Sequence, residues 1–370
     1  MTARWIGLGV ALMFAVGCGP NKRTTNGKKR AAPVLPKADP KALRQFDRGL
    51  RALKRGGPER YEKARPRFEK AVAADPKLWE AWHNLGAVHF AEGEDDQAVE
   101  AFGKALKLNP INISTLLGRA EANRRAGNKK AARKDYEAAI EEDPSDASAY
   151  ARLASLHREN KDFEDGLKVI RRALVEVGGK GEIYVEQGLL YLAQGRDGLA
   201  ELVLLKAADI DAKEPAIYNA LALVSLARGK DQEAFERFAA ATELDPDYLD
   251  ARFNRASVLL DAGDYAGARA ELSDIVNKSE DDDAARIALG VAHRGLGEYD
   301  QARKVWEGVA KRAAKRSRAA GDALWNLAVL TMDFDKNEKK ARKAIERYKS
   351  RSSKKHPKRK DADERLSELE

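Results

Sequence analysis

"WEAWHNLGAVHFAEGEDDQAVEAFGKALKLNP", residues 79 to 110, decides how the chain is organised. Within it a small residue, Gly86, is followed at helical spacing by Ala98, Phe102 and Ala105, and a proline, Pro110, closes the stretch. The same arrangement recurs. The small position reads Gly86, Ala120, Ala154, Gly188, Ala222, Ala256 and Gly290, and a second small position reads Ala98, Ala132, Gly166, Ala200, Ala234, Ala268 and Ala302. Four residues after the second comes a bulky apolar side chain: Phe102, Tyr136, Ile170, Leu204, Phe238, Leu272 and Trp306. A fixed period of this length is the mark of a repeat architecture, in which each unit buries its apolar face only by stacking on the next. Small side chains let two antiparallel helices approach, and the bulky residue fills the space between neighbouring hairpins. Pro110, Pro144 and Pro246 end second helices, because proline disfavours helix in the residue before it.

Trp82, Leu85, Gly86, Ala98, Phe102, Ala105 and Pro110 fall at the offsets of the tetratricopeptide repeat (TPR) pattern, which the chain resembles over residues 42 to 350. The resemblance implies an all-α solenoid, a right-handed superhelix of antiparallel helix hairpins whose first helices line a concave groove. Family members generally bind other proteins and are rarely enzymes. Gly49, Ala64, Phe68, Ala71 and Pro76 fit a first copy with a lengthened hairpin loop, and Trp325, Leu327, Ala328, Ala341, Ile345 and Tyr348 fit a last one. The expected organisation is a TPR array of about eight repeats over residues 42–314, a capping hairpin over 315–350 and a charged tail over 351–370.

Composition agrees with a soluble helical array. Alanine and charged residues are abundant, aromatics make up 7% of the 370 residues, and the single cysteine allows neither an intramolecular disulfide nor a cysteine-rich zinc site. No phosphate-binding loop, nucleophile elbow, zincin motif or metal-spaced cluster is present. His89, His157 and His293 all occupy the eleventh position of their repeats and read as packing residues. A non-enzymatic protein with no metal, cofactor or small-molecule substrate is expected.

The cysteine is Cys18, after the apolar run "WIGLGVALMFAVG", too short to cross a bilayer but suited to a signal-peptide core. "AVGC" resembles the cleavage and acylation site of bacterial lipoproteins, with Ala15 where leucine is preferred. The resemblance implies removal of residues 1–17, lipidation of Cys18 and, with Gly19 following, an anchor in the periplasmic leaflet of the outer membrane. Residues 18–41 then read as a basic, flexible tether.

Projecting the TPR pattern places the second, fifth, ninth and twelfth positions of each repeat on the groove. Early repeats supply Glu80, His83, Glu121, Arg124, Ser155 and Arg158. Later ones supply an apolar strip, Val185, Leu189, Leu192, Leu223, Leu226, Phe253, Leu260, Ile287 and Val291, with Asn219 among them. Such a strip needs covering, either by a docked helix or extended peptide of a partner, or in cis by superhelical closure or the C-terminal helix.

Between Arg303 and Lys360 stand 20 basic and 6 acidic residues, and Lys339, Lys340, Lys343, Lys354, Lys355 and Lys358 read as an anionic-partner surface or a solvating cap. In an exported chain nucleic acid is not the available polyanion. Export therefore favours envelope lipid or an acidic protein. The stretch "LWNLAVLTMDFD" and the segment "HPKRKDADERLSELE" are similar to TPR lipoproteins of gliding-motility complexes; assembly of a type IV pilus secretin or of outer-membrane proteins fits the same pattern. The competing expectation is a cytosolic TPR protein that binds RNA or acidic partners through its basic C-terminal region.

Overall fold

The computed structural model describes residues 38–56, 59–279, 282–313, 317–335 and 337–369. Among these are 19 α-helices and no β-strand. The signal-peptide region, Cys18 and most of the basic tether lie outside the described residues. No described helix is long and apolar enough to cross a membrane.

The period of the sequence is the period of the helices. First helices begin at 79, 113, 147, 181, 215, 249 and 283: α3 (Trp79–Ala91), α5 (Ile113–Arg125), α7 (Ala147–Glu159), α9 (Gly181–Ala193), α11 (Pro215–Ala227), α13 (Leu249–Asp261) and α15 (Asp283–Gly295). Second helices follow in the same step: α4 (Asp95–Leu108), α6 (Lys129–Glu142), α8 (Phe163–Glu176), α10 (Asp197–Ile210), α12 (Asp231–Leu244), α14 (Tyr265–Lys278) and α16 (Tyr299–Arg312). Before them stands the hairpin α1 (Pro40–Arg55) and α2 (Arg60–Ala74), and after them α17 (Arg318–Phe334), α18 (Glu338–Arg351) and α19 (Arg359–Glu368).

Each hairpin turns on a residue in the left-handed backbone region. In six repeats this is glycine: Gly93, Gly127, Gly195, Gly229, Gly263 and Gly297, with φ between 69° and 82°. In the remaining repeat it is Lys161, at φ 63°. Glycine adopts this conformation without a Cβ clash, whereas an L side chain there is strained. The two helices of a hairpin also touch where the sequence places its small residues. A Cβ on Gly86 would lie 2.8 Å from the Phe102 ring, one on Gly188 2.6 Å from Leu204, and one on Gly290 would overlap the Trp306 ring nitrogen. Phe102, Leu204 and Trp306 are fully buried in the space this frees.

The helices form two compact units that divide between Ala212 and Lys213. In the N-terminal unit, Phe68, Ala71, Leu78, Leu85 and Val88 form one continuous cluster that seats the first hairpin on α3. In the C-terminal unit, Leu260, Leu272, Ile275 and Leu289 join α13, α14 and α15. A second cluster there brings Trp306 and Val309 together with Leu324, Trp325, Ile345 and Tyr348.

The segment expected as a charged tail is folded. Ala362 of α19 is fully buried, and Leu366 and Leu369 pack against the Trp325 and Tyr348 cluster. Arg359 donates to the Lys349 carbonyl at 2.6 Å, Arg342 to the Leu369 carbonyl at 2.8 Å, and Arg351 to the Ala310 carbonyl at 3.2 Å. His356 is buried against Gly321, its Nδ1 2.8 Å from the Tyr348 hydroxyl and its Nε2 3.2 Å from Asp322 Oδ1. The apolar residues of this segment are few, but α19 adds them to a cluster that already exists.

Candidate functional site

The polar groove candidates of the early repeats are engaged with one another. Glu121, 6% exposed, accepts from the Tyr136 hydroxyl at 2.7 Å, from Arg124 Nε at 2.8 Å and from Arg152 Nη1 at 3.0 Å. Arg124 also reaches Glu159 at 2.8 Å. Burial pushes the Glu121 carboxyl up, but the Arg124 charge, the Tyr136 hydroxyl and Arg152 together hold it below the usual range. Tyr136 in turn is pushed up, first by burial and then by the Glu121 charge. One repeat further on, Arg158 Nε donates to Glu186 Oε1 at 2.6 Å and Arg158 Nη2 to the Ser155 hydroxyl at 3.0 Å. Three of these bonds, Arg152 to Glu121, Arg124 to Glu159 and Arg158 to Glu186, run from one repeat to the next and tie successive first helices together. His83 is fully buried, its Nδ1 2.8 Å from the Thr115 hydroxyl, and burial lowers its pKa to about 4. Glu80, half-buried, is pushed up by burial.

The apolar strip is not an open surface. In the N-terminal unit Val185, Leu189 and Leu192 are buried, with Leu189 wholly so. In the C-terminal unit Asn219, Leu223, Phe253 and Leu260 are buried, and Leu226, Ile287 and Val291 are half-buried. Successive first helices lie side by side, α7 on α9 and α13 on α15, so a large side chain on this face leans into its neighbour. Phe253 and Leu260 belong to the cluster with Leu289, and Ile287 and Val291 pack toward the Trp306 cluster. Asn219 accepts from Asn254 Nδ2 at 3.1 Å and donates to the Tyr248 hydroxyl at 3.4 Å, a polar rung between two repeats. Exposed large apolar side chains occur elsewhere in the N-terminal unit: Leu199, Leu202, Leu205 and Ile210 on the second helix α10.

Two of the eleventh-position histidines share a role. His89 Nδ1 lies 2.6 Å from Glu94 and His293 Nδ1 2.5 Å from Glu298. Each of these carboxylates belongs to the residue that precedes the second helix of the hairpin, so the histidine ties the end of one helix to the start of the other. The third, His157, keeps its Nδ1 3.9 Å from Asp162, outside hydrogen-bond distance. Arg65 reaches Glu94 at 3.1 Å and Arg269 reaches Glu298 at 2.6 Å, the same contact six repeats apart. His89, Glu92 and Glu94 have ligand atoms close enough for a metal ion, but Arg65 Nη1 already stands 3.1 Å from both carboxylates. The guanidinium supplies the cation this cluster needs.

All six lysines of the expected basic surface are exposed: Lys339, Lys340 and Lys343 on α18, and Lys354, Lys355 and Lys358 after it. Lys358 pairs with Asp361 at 3.1 Å.

Several residues in the inter-repeat network escaped the sequence reading. Arg152, Glu186 and Asn254 all stand at the sixth repeat position, one residue from a groove position, and Glu159 follows Arg158. Only Arg152 and Glu186 are charged at the sixth position, so the available signal was one adjacent pair and not a periodic pattern.

Tetratricopeptide repeat models match residues 79–112, 117–181, 225–282 and 259–324. The chain belongs to the tetratricopeptide repeat family. The TPR fold is also found in solved structures: the yeast Tom70 structure matches with a TM-score of 0.62 at 17% identity, covering 81% of this chain and 66% of that one. A tetratricopeptide repeat protein from Parabacteroides merdae matches with a TM-score of 0.54 at 15% identity, covering 68% of this chain and 98% of that one. Among curated proteins, human Superkiller complex protein 3 is 28% identical over 63% of this chain and 15% of its own length. The human mitochondrial import receptor subunit TOM70 is 24% identical over 48% of this chain and 30% of its own length. The chain thus spans well under half the length of these relatives.

Proposed function

We propose that this TPR chain is a non-enzymatic scaffold, held through a lipidated Cys18 on the periplasmic face of a bacterial envelope, where it assembles or stabilises a multiprotein machine. A TPR array presents side chains from successive hairpins on a continuous surface, and proteins of this family act as protein-interaction scaffolds. The observation that carries the reading is the inter-repeat network of Arg152 with Glu121, Arg124 with Glu159 and Arg158 with Glu186, because a surface that must recognise a partner has to keep its repeats in fixed register. The lone thiol supports the anchor: it follows an apolar run of signal-peptide length and precedes a basic stretch. The machine is of the gliding-motility, type IV pilus or outer-membrane assembly kind. The protein as a whole binds subunits of such a complex.

A second reading is favoured by the six exposed lysines: a cytosolic TPR protein that takes RNA or an acidic protein on its C-terminal unit. One comparison separates the two. Wild-type and Cys18→Ala chains are fed an alkyne fatty acid, fractionated and purified with their associated proteins. Acylation and membrane recovery that vanish together in the variant support the anchored scaffold. Unchanged fractionation, with RNA or acidic proteins recovered from both chains, overturns it in favour of the second reading.

A further inference from the structure

The first hairpin carries a groove of about 930 Å³ on its outer side, between α1 and α2. Arg48, Arg51 and Arg55 line it from one face of α1, and Lys63, Arg67 and Lys70 from one face of α2. Glu59 and Glu62 are the acidic side chains among the lining residues, and Glu59 is taken by Lys63 at 2.5 Å. Among the described residues Arg48, Arg55, Arg67 and Lys70 form no ion pair. A cap that only solubilises the end of a repeat array does so with interspersed charges of both signs, which cost nothing in repulsion. With Lys63 paired to Glu59, five cations against Glu62 leave the groove positive, and that repulsion is relieved by an anion.

The charge along the chain points the same way. Between Asp39 and Asp75 there are 11 basic and 6 acidic residues, whereas residues 77–302 carry a net charge of −13. Residues 19–37, which lead into this hairpin, contain six basic and no acidic residues. The 20 residues between Cys18 and Asp39 reach at most about 70 Å fully extended, so a chain anchored at Cys18 keeps this hairpin near the leaflet.

We infer that the basic groove between α1 and α2 docks on an anionic lipid surface, taking phospholipid headgroup phosphates between its arginines. The choice of lipid as the occupant rests on the anchored reading. Each cation held at an anionic leaflet strengthens partitioning roughly fivefold, and tethering raises the local concentration of lipid further. The hairpin then sets the N-terminal unit at a defined orientation on the membrane.

The test uses the chain from residue 19 onward, which keeps every described residue and lacks the acylation site. Its sedimentation with vesicles of phosphatidylcholine alone, and with one third phosphatidylglycerol, is measured at about 50 mM and about 300 mM salt. The expected result is binding that needs phosphatidylglycerol and weakens with salt. Arg48→Gln/Arg51→Gln/Arg55→Gln/Arg67→Gln should weaken it by roughly 600-fold with the helical signal and melting curve retained. Lys339→Gln/Lys340→Gln/Lys343→Gln should leave most of it. Equal binding to uncharged vesicles, an unaffected arginine variant or loss only in the lysine variant overturns the inference. So does displacement by millimolar inorganic phosphate, which marks a free-ion site, or a preference for a soluble poly-glutamate peptide. Because Cys18 is absent from this experiment, its failure is separate from any failure of acylation in cells.

Discussion

Arg158 and Glu186 form an ion pair of 2.6 Å between α7 and α9, with side chains only 5% and 1% exposed. The pair joins consecutive repeats of the N-terminal unit, and burial pushes the Glu186 carboxyl up while Arg158 pulls it back. Removing one partner leaves the other charge in a dry interface. Glu186→Ala is therefore expected to destabilise the N-terminal unit by about 3–5 kcal/mol, and Arg158→Met with Glu186→Leu to recover most of that loss. Urea unfolding of the single and double variants measures both; equal losses would show that the pair is not coupled.

His83 makes the N-terminal unit sensitive to acid. Its pKa is lowered by burial to about 4, against about 6.5 in an unfolded chain. The folded state therefore binds fewer protons than the unfolded one between these values. The stabilisation is fully present above pH 6.5 and is lost as pH falls toward 4, at up to about 1.4 kcal/mol per pH unit. Unfolding midpoints at pH 7 and pH 5 should differ by about 2 kcal/mol more in the wild type than in His83→Gln. A variant with the wild-type pH slope would show that another group titrates.

Lys161 sits in the turn position that glycine occupies in the six neighbouring repeats. An L residue in this left-handed region is strained by about 1–2 kcal/mol, and glycine gives back part of that gain through the entropy it loses on folding. Lys161→Gly should stabilise the α7–α8 hairpin by about 0.5–1 kcal/mol. Hydrogen exchange of the α7 and α8 amides is the measurement, because local opening reports on one hairpin.

The hairpins were legible in the sequence because they depend on size at fixed spacing. Gly86 opposite Phe102, and Gly290 opposite Trp306, can be paired from the period alone, and the structure places those side chains in contact. The turn glycines, from Gly93 to Gly297, followed the same period and were equally readable. The network around Glu121 and Arg158 was not. Glu186 occupies a position that is Asn84 in one repeat, Gly118 in the next and Ala220 in another, so no pattern of polarity marks it as buried. The strip from Val185 to Val291 was read as apolar and in need of a cover, from a partner or in cis; its side chains are buried or half-buried, and periodicity assigns a face but not what the adjacent helix covers. In the same way α19 places only a few apolar residues in the core, and the turn that leads into it is held by His356 meeting Tyr348 of α18 and Asp322 of α17.

Gly290 and Trp306 provide a test of the packing rule. The indole nitrogen donates to the Ile287 carbonyl at 3.0 Å, so the ring cannot swing away from an added methyl group. Gly290→Ala should cost about 1–3 kcal/mol by overpacking. Alanine faces Tyr136, Phe238 and Leu272 at the equivalent positions of other repeats, all smaller than the indole of Trp306, so Gly290→Ala with Trp306→Leu should cost less than the sum of the two single changes. Thermal unfolding of the set gives the coupling, and strict additivity would mean that the two positions do not share a cavity.

Ala362 anchors α19 to the C-terminal unit, and its burial predicts how that unit is closed. The methyl group is fully buried beside the Trp325 and Tyr348 cluster, so a carboxylate in its place would be taken out of water. Ala362→Asp should therefore expel α19, exposing Tyr348 and separating it from His356, at a cost of about 2–4 kcal/mol. The change should appear as loss of amide protection in α17, α18 and α19 with α3 to α9 unchanged, because repeats interact only with their neighbours. Ala362→Ser, which carries its own hydroxyl donor, should retain most of the protection. If Ala362→Asp leaves α17 and α18 as protected as before, α19 is an ornament on the unit and the closing contact lies within the α17–α18 hairpin alone.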